Sequence, residues 1–278
     1  MRAKFIIAPI WLVLILLTCS CGTPSTPAGP KPLLRAHAHN DYEHDRPLLD
    51  ALDHGFTSVE ADIHLVDGDL YVAHDSDEMN PERTLRSLYL EPLSRRIAQN
   101  GGRVYPNGPQ FTLFIDIKTE AVATYNVLSE MLAEYEDIFT TFDSDGRTDK
   151  AVIAIVSGNR PRKLMESQKI RYAGYDGRLE DLESDAPVTL IPVISDNWTR
   201  HFLYNGTGPM TTEERQKLKK IVETAHQKGQ RVRFWATPDK PSPARQTLWL
   251  ELLAGGVDLL NTDDLRGLQH FLLQHTPK

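Results

Sequence analysis

The chain has 278 residues and a formal net charge of −7, and this acidic balance argues against a protein that binds nucleic acid through a basic surface. Both cysteines, Cys19 and Cys21, lie near the N terminus, which excludes a disulfide bond within the rest of the chain. Residues 33–278 are long enough for one large domain.

An export signal is predicted at the N terminus. Two basic residues, Arg2 and Lys4, precede an apolar run at 5–17, which is shorter than the roughly 20 residues that span a bilayer as a helix. A cysteine directly after such a run resembles a bacterial lipoprotein signal, in which the thiol is lipidated. Cys19 and Cys21 both fit that position, and a cleaved secretory signal or a transmembrane anchor is the alternative.

These features predict a lipoprotein-type signal peptide at 1–21 and a spacer rich in Pro, Gly, Ser and Thr at 22–32. The domain is then exported and held at the periplasmic or surface side of the cell envelope by its lipid, or is otherwise secreted. Contact with a membrane is expected only through this anchor.

A single α/β domain is predicted over residues 33–278. Strands that alternate with helices pair in parallel, and eight such units favour a (β/α)₈ (TIM) barrel. A doubly wound open sheet is the alternative, but no Gly-rich phosphate loop follows the first strand. The second strand has a hairpin partner at 69–75. The eight predicted strands cover residues 33–37, 58–65, 111–117, 151–157, 171–176, 188–194, 231–237 and 257–262.

Three of the intervening helices have clear sequence signals. Apolar residues are spaced three and four apart over 120–139. A capping box begins the helix at 211–229, and a serine followed by proline begins the helix at 242–256.

Acidic residues interrupt the second and third predicted strands. Glu60 and Asp62 are two residues apart and therefore share one face of a strand, as do Asp116 and Lys118. Catalytic groups of a TIM barrel collect at the carboxyl ends of its strands, where these residues are expected. Acids that repel each other need a counter-charge, and oxygen ligands without cysteine favour Mg²⁺ or Ca²⁺. Taken alone, the pattern also fits an edge strand whose acids face water.

Four motifs together resemble the glycerophosphodiester phosphodiesterase and PLC-like phosphodiesterase superfamily, and most of all the branch that contains altered inheritance of mitochondria protein six. The seventh and eighth predicted strands resemble the same fold. The chain departs from the usual pattern because it lacks H-R-G and P-E-N motifs and has Asp116 where many relatives have Glu. The motifs are HAHNDY at 37–42, EAD at 60–62, AHD at 73–75 and DIK at 116–118.

The resemblance implies a metal-dependent phosphoric diester hydrolase that acts on glycerophosphodiesters or related lipid headgroups. It implies a TIM barrel of the PLC-like phosphodiesterase type, with one divalent cation, Mg²⁺ or Ca²⁺, held by Glu60, Asp62 and Asp116. His37 or His39 would act as the base and His74 as the acid. Substrate contacts are expected from Asn40, Lys118 and Trp235.

Three questions stay open at this point. Hydrolysis and formation of a cyclic phosphate are both compatible with these residues. Lipid cleavage of the phospholipase C or D type is an alternative activity. A barrel that binds a phosphodiester or headgroup without turnover is the alternative outside enzymes.

Overall fold

Eight parallel strands form a closed barrel in the computed structural model, which describes residues 29–275. The barrel order is β1-β2-β4-β7-β8-β9-β10-β11, and β11 pairs with β1 to close it. The predicted TIM barrel is therefore confirmed. The strands are β1 Leu33–Ala38, β2 Phe56–Val66, β3 Asp69–Val72, β4 Phe111–Ile117, β5 Thr141–Asp143, β6 Gly146–Thr148, β7 Val152–Gly158, β8 Ala173–Gly177, β9 Val193–Asn197, β10 Arg231–Trp235 and β11 Leu259–Thr262.

Two hairpins decorate the barrel. The short β3 runs antiparallel to the end of β2, as the sequence predicted. The pair β5 and β6 forms a separate two-stranded sheet. The predicted signal peptide at 1–21 and most of the predicted spacer lie outside the described residues.

Helices follow most of the strands and cover the outside of the barrel. Within residues 29–275, no helix is long and apolar enough to cross a membrane. The helices are α1 Leu49–Asp53, α2 Glu91–Gln99, α3 Ala121–Ala133, α4 Arg162–Ser167, α5 Trp198–His201, α6 Thr212–Gln227, α7 Pro243–Ala254 and α8 Leu265–His275.

The predicted caps account for where α6 and α7 begin. The Thr211 hydroxyl accepts a hydrogen bond from the backbone N–H of Glu214 at 3.2 Å, and the Ser242 hydroxyl accepts one from Arg245 at 3.2 Å. Helix α3 ends at Ala133, six residues before the predicted end, because the chain there turns so that Phe139 can pair with Val152 at the start of β7.

The sixth strand of the barrel lies later in the chain than the predicted range of 188–194. Strand β9 begins at Val193, because Pro192 has no N–H to donate and the carbonyl of Pro187 accepts from Leu190 and Ile191 in a turn. Asp196 therefore lies within the strand and not after it.

The interior of the barrel has an apolar floor and a polar upper layer. Side chains at alternate positions of each strand point inward. The apolar layer consists of Phe114, Phe142, Ile153, Ile155, Val193 and Leu259. Two residues further along four of these strands, the next inward position is polar: Asp116, Ser157, Ser195 and Asn261. This change from apolar to polar places the polar groups at the carboxyl ends of the strands.

Candidate active site

Three carboxylates meet at the carboxyl ends of β2 and β4. Glu60 and Asp62 project from β2, and Asp62 lies directly opposite Asp116 in the parallel pairing of β2 with β4. One oxygen from each of the three side chains lies within 4.8 Å of the others. The structure therefore brings together the three carboxylates that the sequence singled out.

Burial and mutual repulsion perturb the ionisation of two of these acids. Burial, together with the charge of Glu60, raises the pKa of Asp62 and raises the pKa of Asp116 to about 6. Burial acts in the same direction on Glu60 and is the largest single influence, but the Arg233 guanidinium together with the contacts of His37 and His39 outweighs it and holds the pKa of that carboxyl well below its usual range. Such a cluster favours occupation by a cation.

Two basic side chains contact the carboxylates. The Lys118 ammonium lies 2.9 Å from Oδ2 of Asp62 and 3.1 Å from Oδ1 of Asp116. Arg233, on β10, forms an ion pair with Glu60. Sequence reasoning missed Arg233, although its alternation with Arg231 in the strand RVRFW is the signal that could have placed both inside the barrel.

The donor atoms fit a divalent cation. Oδ1 of Asp62 is buried and has no hydrogen-bond partner among residues 29–275. Every hydrogen bond that the Glu60 side chain makes in that part of the chain uses Oε2, which leaves Oε1 uncommitted. Carboxylate oxygens are the ligands that Mg²⁺ and Ca²⁺ prefer. Glu60, Asp62 and Asp116 could thus hold such an ion.

His37 is fully buried and both of its ring nitrogens are engaged. Nε2 accepts a hydrogen bond from Arg233, which can only donate, so Nδ1 carries the proton and donates to the Ser58 hydroxyl at 2.7 Å. Burial, and then the charge of Arg233, lowers the pKa of His37 to about 3. His37 is therefore neutral near pH 7 and packs edge-on against Phe114, with ring centres 4.9 Å apart.

His39 lies just beyond β1 and is more accessible. Its Nδ1 lies 2.9 Å from Oδ1 of Asp263, which follows β11, and 30% of its side chain is exposed. A carboxylate only accepts, so Nδ1 carries the proton. Burial alone would lower the pKa of His39, but the hydrogen bond to Asp263 and the charge of Glu60 raise it. No described group hydrogen-bonds to Nε2, which is free for proton transfer.

His74 lies next to Asp62, one of the three carboxylates. Its Nδ1 lies 3.2 Å from Oδ2 of Asp62 and 3.0 Å from the Tyr42 hydroxyl, and half of its side chain is exposed. It does not pair with its neighbour Asp75, which instead begins a short turn. The buried His64, also on β2, contacts the backbone carbonyl of His74 at 3.3 Å. The hairpin thus brings His74 back to the strand that carries the acids.

Tyr42 joins the loop after β1 to this cluster. Its hydroxyl lies 2.6 Å from Oδ2 of Asp62 and 2.9 Å from Oδ1 of Asn40. Sequence reasoning quoted this tyrosine within HAHNDY but gave it no role. Asn40 has a left-handed backbone, with φ of 48°, and its amide lies 3.5 Å from Asp263. Asn40 therefore contributes to holding the loop at the rim of the site.

A second polar cluster occupies the opposite wall of the barrel. Asp176 is fully buried on β8 and accepts hydrogen bonds from Ser157, Ser195 and Arg178, the last at 2.8 Å. Trp235 is partly exposed at the end of β10, on the same face of the strand as Arg233. The acids and histidines of the site thus lie on and next to β1, β2 and β4, whereas Arg233 and Trp235 lie on β10.

The barrel fold is shared with a structurally characterised phosphodiesterase. The barrel superimposes on the crystal structure of a glycerophosphoryl diester phosphodiesterase from Parabacteroides distasonis with a TM-score of 0.54 and 13% identity, covering 89% of this chain and 88% of that one. At this identity the likeness concerns the fold alone.

Sequence relatives identify the family. The model of the AIM6-like phosphodiesterase domain matches residues 31–176. Altered inheritance of mitochondria protein 6 of Eremothecium gossypii is 31% identical over 86% of this chain and 69% of its own length. The homologue from Arthroderma benhamiae is 28% identical over 84% of this chain and 82% of its own. The chain belongs to the AIM6-like phosphodiesterase family, as its motifs predicted.

Proposed function

We propose that this protein is a metal-dependent phosphoric diester hydrolase that acts on glycerophosphodiesters or related lipid headgroups. One observation carries the proposal: two histidines near the carboxylate cluster each have Nδ1 held by a carboxylate, His39 by Asp263 and His74 by Asp62, which is itself a member of the cluster. A protein that only binds a headgroup has no need of two oriented imidazoles next to a cation site. The family and the fold are consistent with the same chemistry.

His39 is assigned as the general base. Asp263 fixes its tautomer and raises its basicity, so Nε2 takes a proton from the attacking water or from a neighbouring hydroxyl of the substrate. His37 is excluded from this role because it is buried and both its nitrogens have partners.

His74 is assigned as the general acid. Asp62 lies 3.2 Å from Nδ1 and orients the ring, so that Nε2 gives its proton to the oxygen of the leaving alcohol. A cavity of about 620 Å³ opens beside His74 and is lined by Tyr42, Glu43 and Arg83, among others, so there is room there for the leaving group.

Charge stabilisation completes the proposal. Glu60, Asp62 and Asp116 would hold a divalent ion, which would supply positive charge where negative charge develops on the phosphate oxygens. Lys118 adds a second positive group beside Asp62 and Asp116. Trp235 and Asn40 are assigned to substrate contact at the rim.

The proposal is tested by turnover of the domain comprising residues 33–278. A panel of glycerophosphodiesters and lysophospholipids would be assayed with Mg²⁺, with Ca²⁺ and with a chelator. His226→Ala, on the outer helix α6, is the matched histidine control. We expect metal-dependent cleavage that His39→Ala and His74→Ala abolish and His226→Ala preserves. Ion binding without cleavage of any diester would favour the non-catalytic binding barrel.

We also propose that the protein is exported and lipid-anchored through Cys19 or Cys21. Strand β1 begins at Leu33, at the end of the barrel opposite the carboxylates, so the 22–32 spacer would join the domain at that end. Mass spectrometry of the mature N terminus tests the proposed anchor, and an unmodified chain that begins at Met1 would contradict it.

A further inference from the structure

Arg233 occupies the floor of the candidate active site. Its side chain is buried, with 3% of the residue exposed, and the guanidinium carbon lies 4.5 Å from the centre of the Phe114 ring. One nitrogen, Nη1, donates to both Oε2 of Glu60 and Nε2 of His37. Contacts with Glu60, His37 and the Phe114 ring therefore hold the guanidinium in place without an ion or a substrate.

The contacts of Arg233 decide which oxygen of Glu60 an ion can use. Oε2 is taken by Arg233 and lies 3.3 Å from His37, whereas Oε1 has no hydrogen bond among the described residues. Arg233 thus engages one oxygen of Glu60 and leaves the other without a hydrogen bond. A carboxylate held in this way presents one ligand atom and not two.

Arg233 also affects the net charge of the site, and so the number of ions that the site can hold. Three carboxylates face two permanent cations, Lys118 and Arg233, so the cluster has one net negative charge when all three acids are ionised. One divalent ion changes the net charge of the cluster to +1, which the single negative charge of a phosphodiester neutralises. A second divalent ion would have to approach two cations that are already in place, and this is electrostatically unfavourable.

We propose that Arg233 is a positioning residue that acts as a built-in cation: it fixes Glu60 and restricts the site to one divalent ion of limited affinity. The ion count matches a singly charged diester, and this part rests on the proposed function. Because Arg233 contacts a ligand carboxylate directly, its charge repels the bound ion. Its removal takes away this repulsion and also frees Oε2 of Glu60 as a second ligand atom, and these two gains exceed the loss from a less firmly held Glu60. Ion binding is therefore strengthened, while the ion-free protein is destabilised.

Calorimetric titration with Mn²⁺ and Mg²⁺ tests the inference on Arg233→Met and Arg233→Lys. Arg231→Met is the matched control, because Arg231 lies two residues earlier on the same strand and donates to Thr112 at 3.1 Å instead of to an acid of the cluster. We expect one ion per wild-type chain, an affinity about tenfold or more higher in Arg233→Met, and wild-type affinity in Arg233→Lys and Arg231→Met.

Thermal unfolding separates this role from simple packing. In chelator, Arg233→Met should lower Tm by on the order of 10 °C, because it leaves a buried carboxylate without its partner, and saturating ion should restore most of the loss. The double variant Glu60→Gln with Arg233→Met should regain stability in chelator. If the single variant does not fold, this double variant still tests whether the loss of stability comes from an unpaired Glu60.

Each contrary result has a separate meaning. Unaltered ion affinity in Arg233→Met, with an equal loss of Tm with and without ion, overturns the inference and leaves the proposed hydrolase intact. Two ions per wild-type chain also overturn it. A third result is one ion per wild-type chain and tighter binding in Arg233→Met, but no turnover of any diester. This result would contradict the proposed function and leave the inference on Arg233 intact.

Discussion

The Tyr42 hydroxyl lies 2.6 Å from Oδ2 of Asp62, so a loop residue after β1 touches an acid on β2 that is 20 positions away in the chain. The same hydroxyl is 3.0 Å from Nδ1 of His74. One side chain thus connects the loop, the carboxylate cluster and the proposed general acid. This contact fixes the orientation of the imidazole as well as that of the carboxylate.

Replacement of Tyr42 by Phe should lower kcat and leave the fold intact. Loss of one hydrogen bond of about 0.5–1.5 kcal/mol from the array that orients His74 corresponds to a decrease of roughly 2- to 13-fold. Ion affinity should change little, because the carboxylates remain. Tyr105→Phe is the matched control, since its buried hydroxyl donates to the backbone of Phe56 at 2.7 Å, away from the site. Equal kcat in the Tyr42 variant and in wild type would contradict the role.

Gly158 provides a test of the position of Asp116. It has a φ of +67° at the end of β7, and a Cβ atom there would overlap Oδ1 of Asp116 and the backbone of Ile117. Gly158→Ala should therefore displace the carboxylate and weaken ion binding about 10- to 100-fold, as is typical when support of a metal ligand is lost. Calorimetric titration measures the change.

Gly68→Ala is the control for the backbone strain itself. Gly68 has a similar φ of +86°, but a Cβ there meets nothing within 4 Å. Both variants should lose about 1–2 kcal/mol of stability from the unfavourable backbone conformation. Only Gly158→Ala should lose ion affinity, and the same affinity in both variants would contradict a displacement of the Asp116 carboxylate from an ion site.

The roles of the two histidines are separated by the leaving group. An aryl phosphodiester releases a phenolate that needs little protonation, so it bypasses the general acid. His74→Ala should therefore lose about 10²–10⁴-fold in kcat/KM on an alkyl diester and far less on the aryl diester. His39→Ala should lose activity on both. If the aryl substrate instead rescues His39→Ala, the acid and base assignments are reversed.

Asp41 gives a prediction for stability against pH. It is fully buried, its Oδ2 accepts hydrogen bonds from Leu48 N–H at 2.6 Å and from the Tyr89 hydroxyl at 2.9 Å, and burial raises its pKa to about 7. The folded state thus favours the protonated acid. Its stabilising contribution is fully present below the unfolded pKa of about 3.9 and is lost as the pH rises through about 7.

Chemical denaturation between pH 4 and pH 8 checks this expectation. The free energy of unfolding of wild type should fall relative to that of Asp41→Asn by up to about 4 kcal/mol over this interval, because the amide does not ionise. A constant difference between the two proteins across the interval would place the ionisation of Asp41 outside it.

Local patterns were sufficient for most of the fold. Short apolar, β-branched runs marked the eight barrel strands, and helix caps such as Thr211 and Ser242 marked where helices begin. The one misplaced strand contained a local signal that was overlooked, since Pro192 cannot donate within a strand. The shared face of Glu60 and Asp62 followed from the two-residue period of a strand, and the structure places both acids inside the barrel.

The sequence by itself determined the strands, the acids they carry and the family, because these depend on residues that are close together in the chain. Only the tertiary structure decided that Arg233 pairs with Glu60, that Asp263 supports His39, and that His37 is enclosed while His39 is not. Closure of the barrel brings β10 and β11 against β1, and so joins residues about 170 to 220 positions apart. Burial of a histidine depends on how deep its strand position lies in the closed barrel, and spacing along the chain does not encode that depth.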